Sequence, residues 1–157
     1  MSQTCQHTRS PHEDGDRGPC GLAGWLNICL GKPDLGISQV VRAMRVSPLD
    51  PSLALWQLWT AMGHFYAGRD EKAILWAKTV LREQPDNPHA SGFLAGSLAF
   101  QGRIDEAQKV VSRLREIYPI TRRSILVSGV IPWLRRPEDQ NRVAEAWRLM
   151  GLPVLLL

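Results

Sequence analysis

The chain has 157 residues, 44% of them hydrophobic, and a formal net charge of +4. This length suits one domain and leaves no room for a second, catalytic domain. The apolar fraction suits a folded core. Three cysteines without a CxxC pair exclude a disulfide framework and favour a cytoplasmic location, and no apolar run approaches the roughly 18 residues of a membrane span.

The first segment of the chain, residues 1–20, is polar and has almost no large apolar side chain. Because such a segment buries too little apolar surface to offset its ordering entropy, we predict a disordered tail. The folded domain is predicted over residues 21–157. The tail contains four residues of types that bind zinc, namely Cys5, His7, His12 and Cys20. Their spacing matches no standard motif, so no metal site is predicted.

A repeat with a step of 34 positions follows. Residues 68–73 reappear as residues 102–107, and a weaker copy begins at residue 31, which lies 37 positions before the second. A step of 34 with a glycine turn in the middle and a proline at the end is typical of the tetratricopeptide repeat, which has two antiparallel helices per unit. We therefore predict an all-α fold, a right-handed solenoid of about three helical hairpins.

Within the second unit, the pattern predicts a first helix over residues 52–66, with Asp50 as N-cap and Pro51 at the first helical position. Asn87 and Pro88 repeat this entry in the third unit. A glycine turn ends each first helix, and the next helix of the second unit is predicted over residues 70–83.

Small residues recur at the repeat step, where we expect helices to approach closely. Ala95 follows Ala61 by 34 positions, and Ala107 follows Ala73 by the same step. A large side chain at these positions would push the helices apart.

The period lapses after Pro119, but a last helix is predicted from Pro137, because a proline followed by Glu138 and Asp139 marks a helix start. An apolar stripe supports it: Val143, Ala144, Trp147 and Met150. We predict that this helix caps the solenoid.

No catalytic site or cofactor is predicted. His64 lies among apolar residues without a nucleophile or carboxylate at helical spacing, which favours a packed structural histidine. The acidic pairs at 70–71 and 105–106 recur at helix starts, where interaction with the helix dipole accounts for them. The chain is thus predicted not to be an enzyme.

The first helices of a tetratricopeptide solenoid line a groove that suits a peptide or a partner helix. The usual repeat positions predict an apolar, small-residue groove formed by Leu55, Leu58, Met62, Phe65, His89, Gly92, Gly96 and Ala99. We expect a protein or peptide partner there. The alternative is that these residues pack against the chain's own tail or against a second copy.

Arginines accumulate late in the chain, and an alternative function as a nucleic-acid-associated regulator rests on them. The cluster consists of Arg113, Arg115, Arg122, Arg123, Arg135, Arg136, Arg142 and Arg148. Acidic residues interleave these arginines, which favours a solvated helix face over a nucleic-acid surface.

Three stretches, residues 45–51, 63–69 and 134–139, together with Trp76-Ala77 and Gly151-Leu152-Pro153, resemble one particular group of proteins. This group is the C-terminal tetratricopeptide region of rhizobial-type regulators, whose N-terminal part is an adenylate or guanylate cyclase or a winged-helix DNA-binding domain. The resemblance implies signal transduction and a non-catalytic interaction module. Because residues 1–19 do not resemble further repeats, we expect a detached or truncated C-terminal part of such a regulator.

Overall fold

The structure, a computed structural model, describes residues 17–118 and 134–152, with side chains from Gly21 onward. Within these ranges the chain forms seven helices and no strand, so the predicted all-α helical-repeat fold is confirmed. The first 16 residues of the predicted tail lie outside the described residues. So do residues 119–133 and residues 153–157.

Six of the described helices pair into three hairpins, and a seventh follows. Their bounds are α1 (Arg17–Cys29), α2 (Pro33–Val46), α3 (Leu53–Tyr66), α4 (Asp70–Glu83), α5 (Pro88–Phe100), α6 (Ile104–Ile117) and α7 (Pro137–Leu149). Helix α1 begins inside the range 1–20 that was predicted as tail.

Glycines with positive φ form the turn of every hairpin. Gly31, Gly68 and Gly102 have φ between 71° and 78°, a backbone conformation that other residues adopt only with strain. Each of these glycines follows a first helix and lets the chain reverse direction. The predicted glycine turns are confirmed.

The predicted helix entries are confirmed in the third unit and wrong in the second. Asn87 caps α5 by accepting a hydrogen bond from the Ala90 N–H at 3.0 Å. In the second unit the N-cap is Ser52, and the Asp50 carboxylate instead accepts from the Ser52 N–H at 2.8 Å. Asp50 therefore stabilises the turn before α3, and Pro51 lies in that turn.

The hairpins stack because each helix packs on the next helix along the chain, from α1 to α6. Contacts between α1 and α3 and between α3 and α5 place the first helices of the three hairpins in one row. The recurring alanines are at most 2% exposed and allow this close approach: Ala61, Ala73, Ala95 and Ala107. We call helices α1 to α6 the hairpin stack.

Helix α7 follows the hairpin stack at the place where a capping helix is predicted, and it packs on the first helices. A helix that extended the stack would pack mainly on α6, but α7 packs mainly on α5, and its Arg142 side chain reaches the Phe65 carbonyl of α3. It therefore lies across the row of first helices. We call residues 134–152 the C-terminal strap.

Candidate protein-binding face

The first helices α3 and α5 lie side by side and carry all eight residues of the predicted groove. In the structure these residues do not form one exposed surface. Leu58, Met62, Phe65, Gly96 and Ala99 are buried, Leu55 is exposed, and His89 and Gly92 are half-buried. We call the side of α3 and α5 that contacts the C-terminal strap the first-helix face.

The strap covers part of the predicted groove, and it comes close to the backbone of α5 at Gly96. A Cβ atom built on Gly96 would lie 3.2 Å from the Ala146 Cβ atom of α7 and 3.0 Å from the Phe65 ring. Glycine on one helix and alanine on the other thus let α5 and α7 pack closely. The first-helix face is therefore shaped to accept a helix with a small residue at this point.

One turn before Ala146, the guanidinium group of Arg142 enters a pocket on the first-helix face. Its Nε donates to the backbone carbonyl of Phe65 at 2.7 Å, and its Nη2 donates to Asp70 Oδ1 at 2.6 Å. The two side chains of this ion pair are only 21% and 15% exposed. A pair this well shielded from water is stronger than one on the open surface.

Two aromatic rings complete this pocket. The guanidinium carbon of Arg142 lies 4.9 Å from the centroid of the Phe65 ring and 4.0 Å from that of Phe100. Both distances are within the range of cation–π attraction. The pocket matches arginine better than lysine, because a planar guanidinium can face the rings while its edge donates to two oxygens. We call Phe65, Asp70 and Phe100 the arginine pocket.

The rings of the arginine pocket are held by further aromatic contacts. The Phe65 centroid lies 5.4 Å from Tyr66, 5.5 Å from Phe93 and 6.1 Å from Phe100. Tilted and edge-on pairs of this kind are the favoured arrangements of aromatic rings. The pocket is therefore rigid on the side of the hairpin stack.

Beside the close approach of α5 and α7, packing is incomplete. A cavity of about 60 Å³ lies there, and its lining includes His89 and Gly92 on α5 and Val143 and Trp147 on α7. A Cβ atom built on Gly92 would meet nothing within 4 Å. The strap thus fits the first-helix face well at Gly96 and poorly one turn earlier in α5.

The start of α7 carries a buried carboxylate. Asp139 is 3% exposed, its Oδ2 accepts no hydrogen bond within the described part of the chain, and the nearest cation is Arg136 at 4.0 Å. Burial raises the pKa of Asp139, and the Arg136 charge opposes that rise. The docked strap therefore disfavours the ionised form of this carboxylate.

The ends of the strap are attached to the hairpin stack by main-chain contacts and apolar side chains. The Arg135 N–H donates to the Cys29 carbonyl at 3.1 Å, and Arg136 donates to the Gly31 carbonyl at 3.2 Å. Leu134 and Met150 are buried in the main core cluster. Docking of the strap therefore depends on a few anchors spread along its length.

Three titratable side chains near this face, Cys29, Tyr66 and His64, are held in their neutral forms. Burial, with a smaller effect of Asp139, raises the pKa of Cys29 to about 11, and burial raises the pKa of Tyr66 far above its usual value. Burial and the positive charges of Arg69 and Lys72 lower the pKa of His64 to about 4. At neutral pH Cys29 and Tyr66 thus keep their protons, and His64 carries no charge.

Among the residues that the structure describes, no group of three His, Cys, Asp or Glu side chains is arranged to hold a metal ion. The four tail residues considered for zinc lie outside the described side chains. No helix within the described ranges is both long and apolar enough to cross a membrane.

The late arginine cluster is largely engaged within the protein. Of its eight members, Arg122 and Arg123 lie outside the described residues. Four of the other six pair with carboxylates: Arg113 with Asp86, Arg136 with Glu138, Arg142 with Asp70, and Arg148 with Glu145. These pairs neutralise much of the charge on which the nucleic-acid alternative rests.

Comparison with protein families identifies part of the hairpin stack. Residues 65–121 match the family model of the tetratricopeptide repeat. This stretch is a tetratricopeptide region. It includes the whole arginine pocket, whereas the C-terminal strap lies beyond it. Comparison with curated proteins and with solved structures gives no significant match.

Sequence reasoning placed Phe65 and Gly96 of the tetratricopeptide region on the partner side but missed the arginine pocket. It assigned Asp70 to the dipole of α4 and Arg142 to a solvated basic cluster. The strap sequence held one usable signal, an arginine followed four positions later by alanine and eight positions later by methionine. This spacing puts Arg142, Ala146 and Met150 on one face of a helix.

Proposed function

We propose that the chain is a non-catalytic protein–protein interaction module that binds an amphipathic helix on its first-helix face. Tetratricopeptide regions generally bind protein partners, and the first helices of such hairpins form an extended binding surface. The observation that carries this proposal is the strap itself, because α7 is a helix lying on α3 and α5. A surface that holds one helix by side-chain anchors can hold another of the same pattern.

The electrostatics near the face support binding over catalysis. Cys29 and Tyr66 keep their protons at neutral pH, and His64 is neutral and enclosed. A nucleophile or general base would need a lowered pKa, or one near the working pH, and access to substrate. These groups have neither property, and their burial accounts for them as parts of the core.

A capture experiment with two charge-matched variants tests this function. Gly92→Glu places a carboxylate where the first-helix face has open space, and Gln108→Glu places the same charge on the exposed side of α6. We expect the wild-type chain and Gln108→Glu to retain a partner that Gly92→Glu loses. The partner is then identified by mass spectrometry and purified, and its binding is measured directly. Equal retention by all three chains would contradict a binding role for this face.

The resemblance to regulators with a cyclase or winged-helix segment adds a cellular role to the proposal. In that role, partner binding to the repeat module would signal to a catalytic or DNA-binding protein in the cytoplasm. Gene context provides the check. We expect a reading frame for a class III cyclase or a winged-helix domain next to this gene, and its absence from related genomes would remove the support for this role.

A further inference from the structure

The arginine pocket indicates which helix the first-helix face recognises. We propose that the partner is a helix with an arginine, a small residue four positions later and an apolar residue eight positions later, and that it displaces the C-terminal strap. This inference rests on the proposed function and specifies the partner's chemistry. The strap then occupies the same site to which the partner binds.

The requirement for arginine follows from the contacts within the pocket. Asp70 supplies a charged acceptor, the Phe65 carbonyl supplies a second acceptor, and the rings of Phe65 and Phe100 face the cation. Without a cation, the Asp70 carboxylate would lose its ion pair in a place where little of it is exposed. The face therefore selects an arginine over a neutral side chain.

The requirement for a small residue follows from Gly96. Its α-carbon faces the methyl group of Ala146 so closely that an added Cβ would already lie 3.2 Å from it. A larger side chain on the partner helix at this position would separate the two helices. The position one further turn along corresponds to Met150, which is buried in the main core cluster. The three positions together form one stripe of a helix.

The strap packs imperfectly on the first-helix face in two places, and a partner helix that packs better there binds more tightly. The strap buries the Asp139 carboxylate, whose Oδ2 accepts no hydrogen bond from the residues that the structure describes, and it leaves a cavity of about 60 Å³ beside Val143 and Trp147. A helix with a neutral residue three positions before the arginine avoids the first defect. A larger apolar side chain at the position of Val143 fills the second. The best partner helix therefore differs from α7 at these positions and matches it at the arginine and the small residue.

Binding of labelled peptides to the full chain, followed by fluorescence anisotropy, tests the proposal. The probe is a synthetic peptide of residues 134–152, in its native sequence and with Arg142→Ala or Asp139→Asn. The receptors are the wild-type chain and the chain with Arg142→Ala, in which the strap loses its anchor while the pocket stays intact. A third receptor combines Arg142→Ala with Asp70→Asn and lacks the carboxylate of the pocket.

We expect the native peptide to bind the Arg142→Ala chain about tenfold more tightly than the wild-type chain, because the strap no longer competes. The Arg142→Ala peptide should bind that receptor about tenfold more weakly, and the Asp70→Asn receptor should lose the preference for arginine. The Asp139→Asn peptide should bind several-fold more tightly than the native peptide. Trp147→Ala serves as the receptor should Arg142→Ala not retain its helical circular dichroism.

Three results would overturn the proposal. The first is equal binding of peptides with and without the arginine, and the second is the absence of peptide binding to both receptors with a loosened strap. The third is a wild-type chain that forms dimers through exchanged straps at the concentrations of the assay, because a second copy would then be the occupant. The capture experiment is independent of these outcomes. An arginine-selective pocket without a partner that Gly92→Glu disrupts would refute the proposed function and leave the pocket established.

Discussion

Two glycine contacts in this molecule illustrate two different kinds of helix packing. In the first hairpin, Gly24 and Gly36 bring the backbones of α1 and α2 together, so that a Cβ atom on Gly36 would lie 2.4 Å from the Gly24 carbonyl oxygen. Between α5 and α7, a Cβ atom on Gly96 would lie 3.2 Å from the Ala146 methyl group. The first contact leaves no space for a methyl group, and the second leaves almost enough.

The side chains around the first contact are also more completely buried than those around the second. The first hairpin closes around apolar side chains such as Ile28 and Val40, which are fully buried. Helix α7 has only two buried residues, Asp139 and Ala146, and its central anchor is the ion pair of Arg142. The hairpin stack therefore depends on tight apolar packing, and the strap on a few directional contacts. We expect the strap to detach while the stack remains folded.

The largest effect is expected from Gly36→Ala in the hairpin stack. The added methyl group would overlap the Gly24 carbonyl oxygen and the Ile28 side chain, so the two helices must separate. We expect the free energy of unfolding to fall by about 2 kcal/mol, measured by urea denaturation with circular dichroism. Ser38→Ala, on the exposed side of the same helix, is the control and should change stability little. Similar values for the two variants would show that the glycine contact is not required.

A smaller effect, confined to the strap, is expected from Gly96→Ala. The new methyl group approaches Ala146 and Phe65, so α7 should detach about tenfold more often, an effect of about 1.4 kcal/mol. Hydrogen exchange measures this as faster exchange of the α7 amides, with unchanged exchange in α3 and α4. Gly92→Ala makes the same change one turn earlier, where space is open, and should stabilise α5 by about 0.5–1 kcal/mol. Equal acceleration of α7 exchange in both variants would contradict the close contact at Gly96.

The smallest effect is expected from Asp139→Asn and depends on pH. Because burial raises the pKa of Asp139 in the docked strap, the docked state binds this proton more tightly than the detached state does. The ionised carboxylate thus weakens docking above the raised pKa, and this effect is lost as the pH falls toward the usual value of 3.8. At pH 7 we expect Asp139→Asn to slow exchange of the α7 amides, a gain of about 0.5–1 kcal/mol. The difference from the wild type should vanish near pH 4.

Glu138→Gln is the matched control for this pH dependence. Glu138 neighbours Asp139 but is exposed, and its pKa is lowered, first by a backbone hydrogen bond and then by Arg136. Its charged form is therefore favoured in the docked strap, so the substitution should not slow exchange of α7. A gain in protection from both substitutions would mean that loss of negative charge, and not burial of Asp139, controls docking.

The hairpin stack could be predicted from the sequence because its contacts are periodic. Each helix packs on the next one along the chain, so the same small residue is needed at the same place in each unit, as with Ala73 and Ala107. The glycine turns recur for the same reason. The start of α3 was the local failure, since Asp50 and Pro51 had the pattern of a cap but belong to a turn before the helix.

The binding face could be predicted only in part. The repeat positions identified Phe65 and Gly96 as residues of the partner side, and both contact the strap. They did not identify Asp70 or Phe100, because the role of these residues appears only when an arginine lies between them. Whether the eight predicted residues bind a partner stays a prediction, which the capture experiment addresses.

What the sequence by itself determined is a stack of helical hairpins with glycine turns and alanine contacts, because these interactions are local and repeat with the chain. Only the tertiary structure decided where α7 lies. Its anchors join residues far apart in the chain, with 72 positions between Arg142 and Asp70 and 105 between Arg136 and Gly31. Contacts at such separation leave no period in the sequence, since each is made once and depends on the shape that the whole stack has already formed.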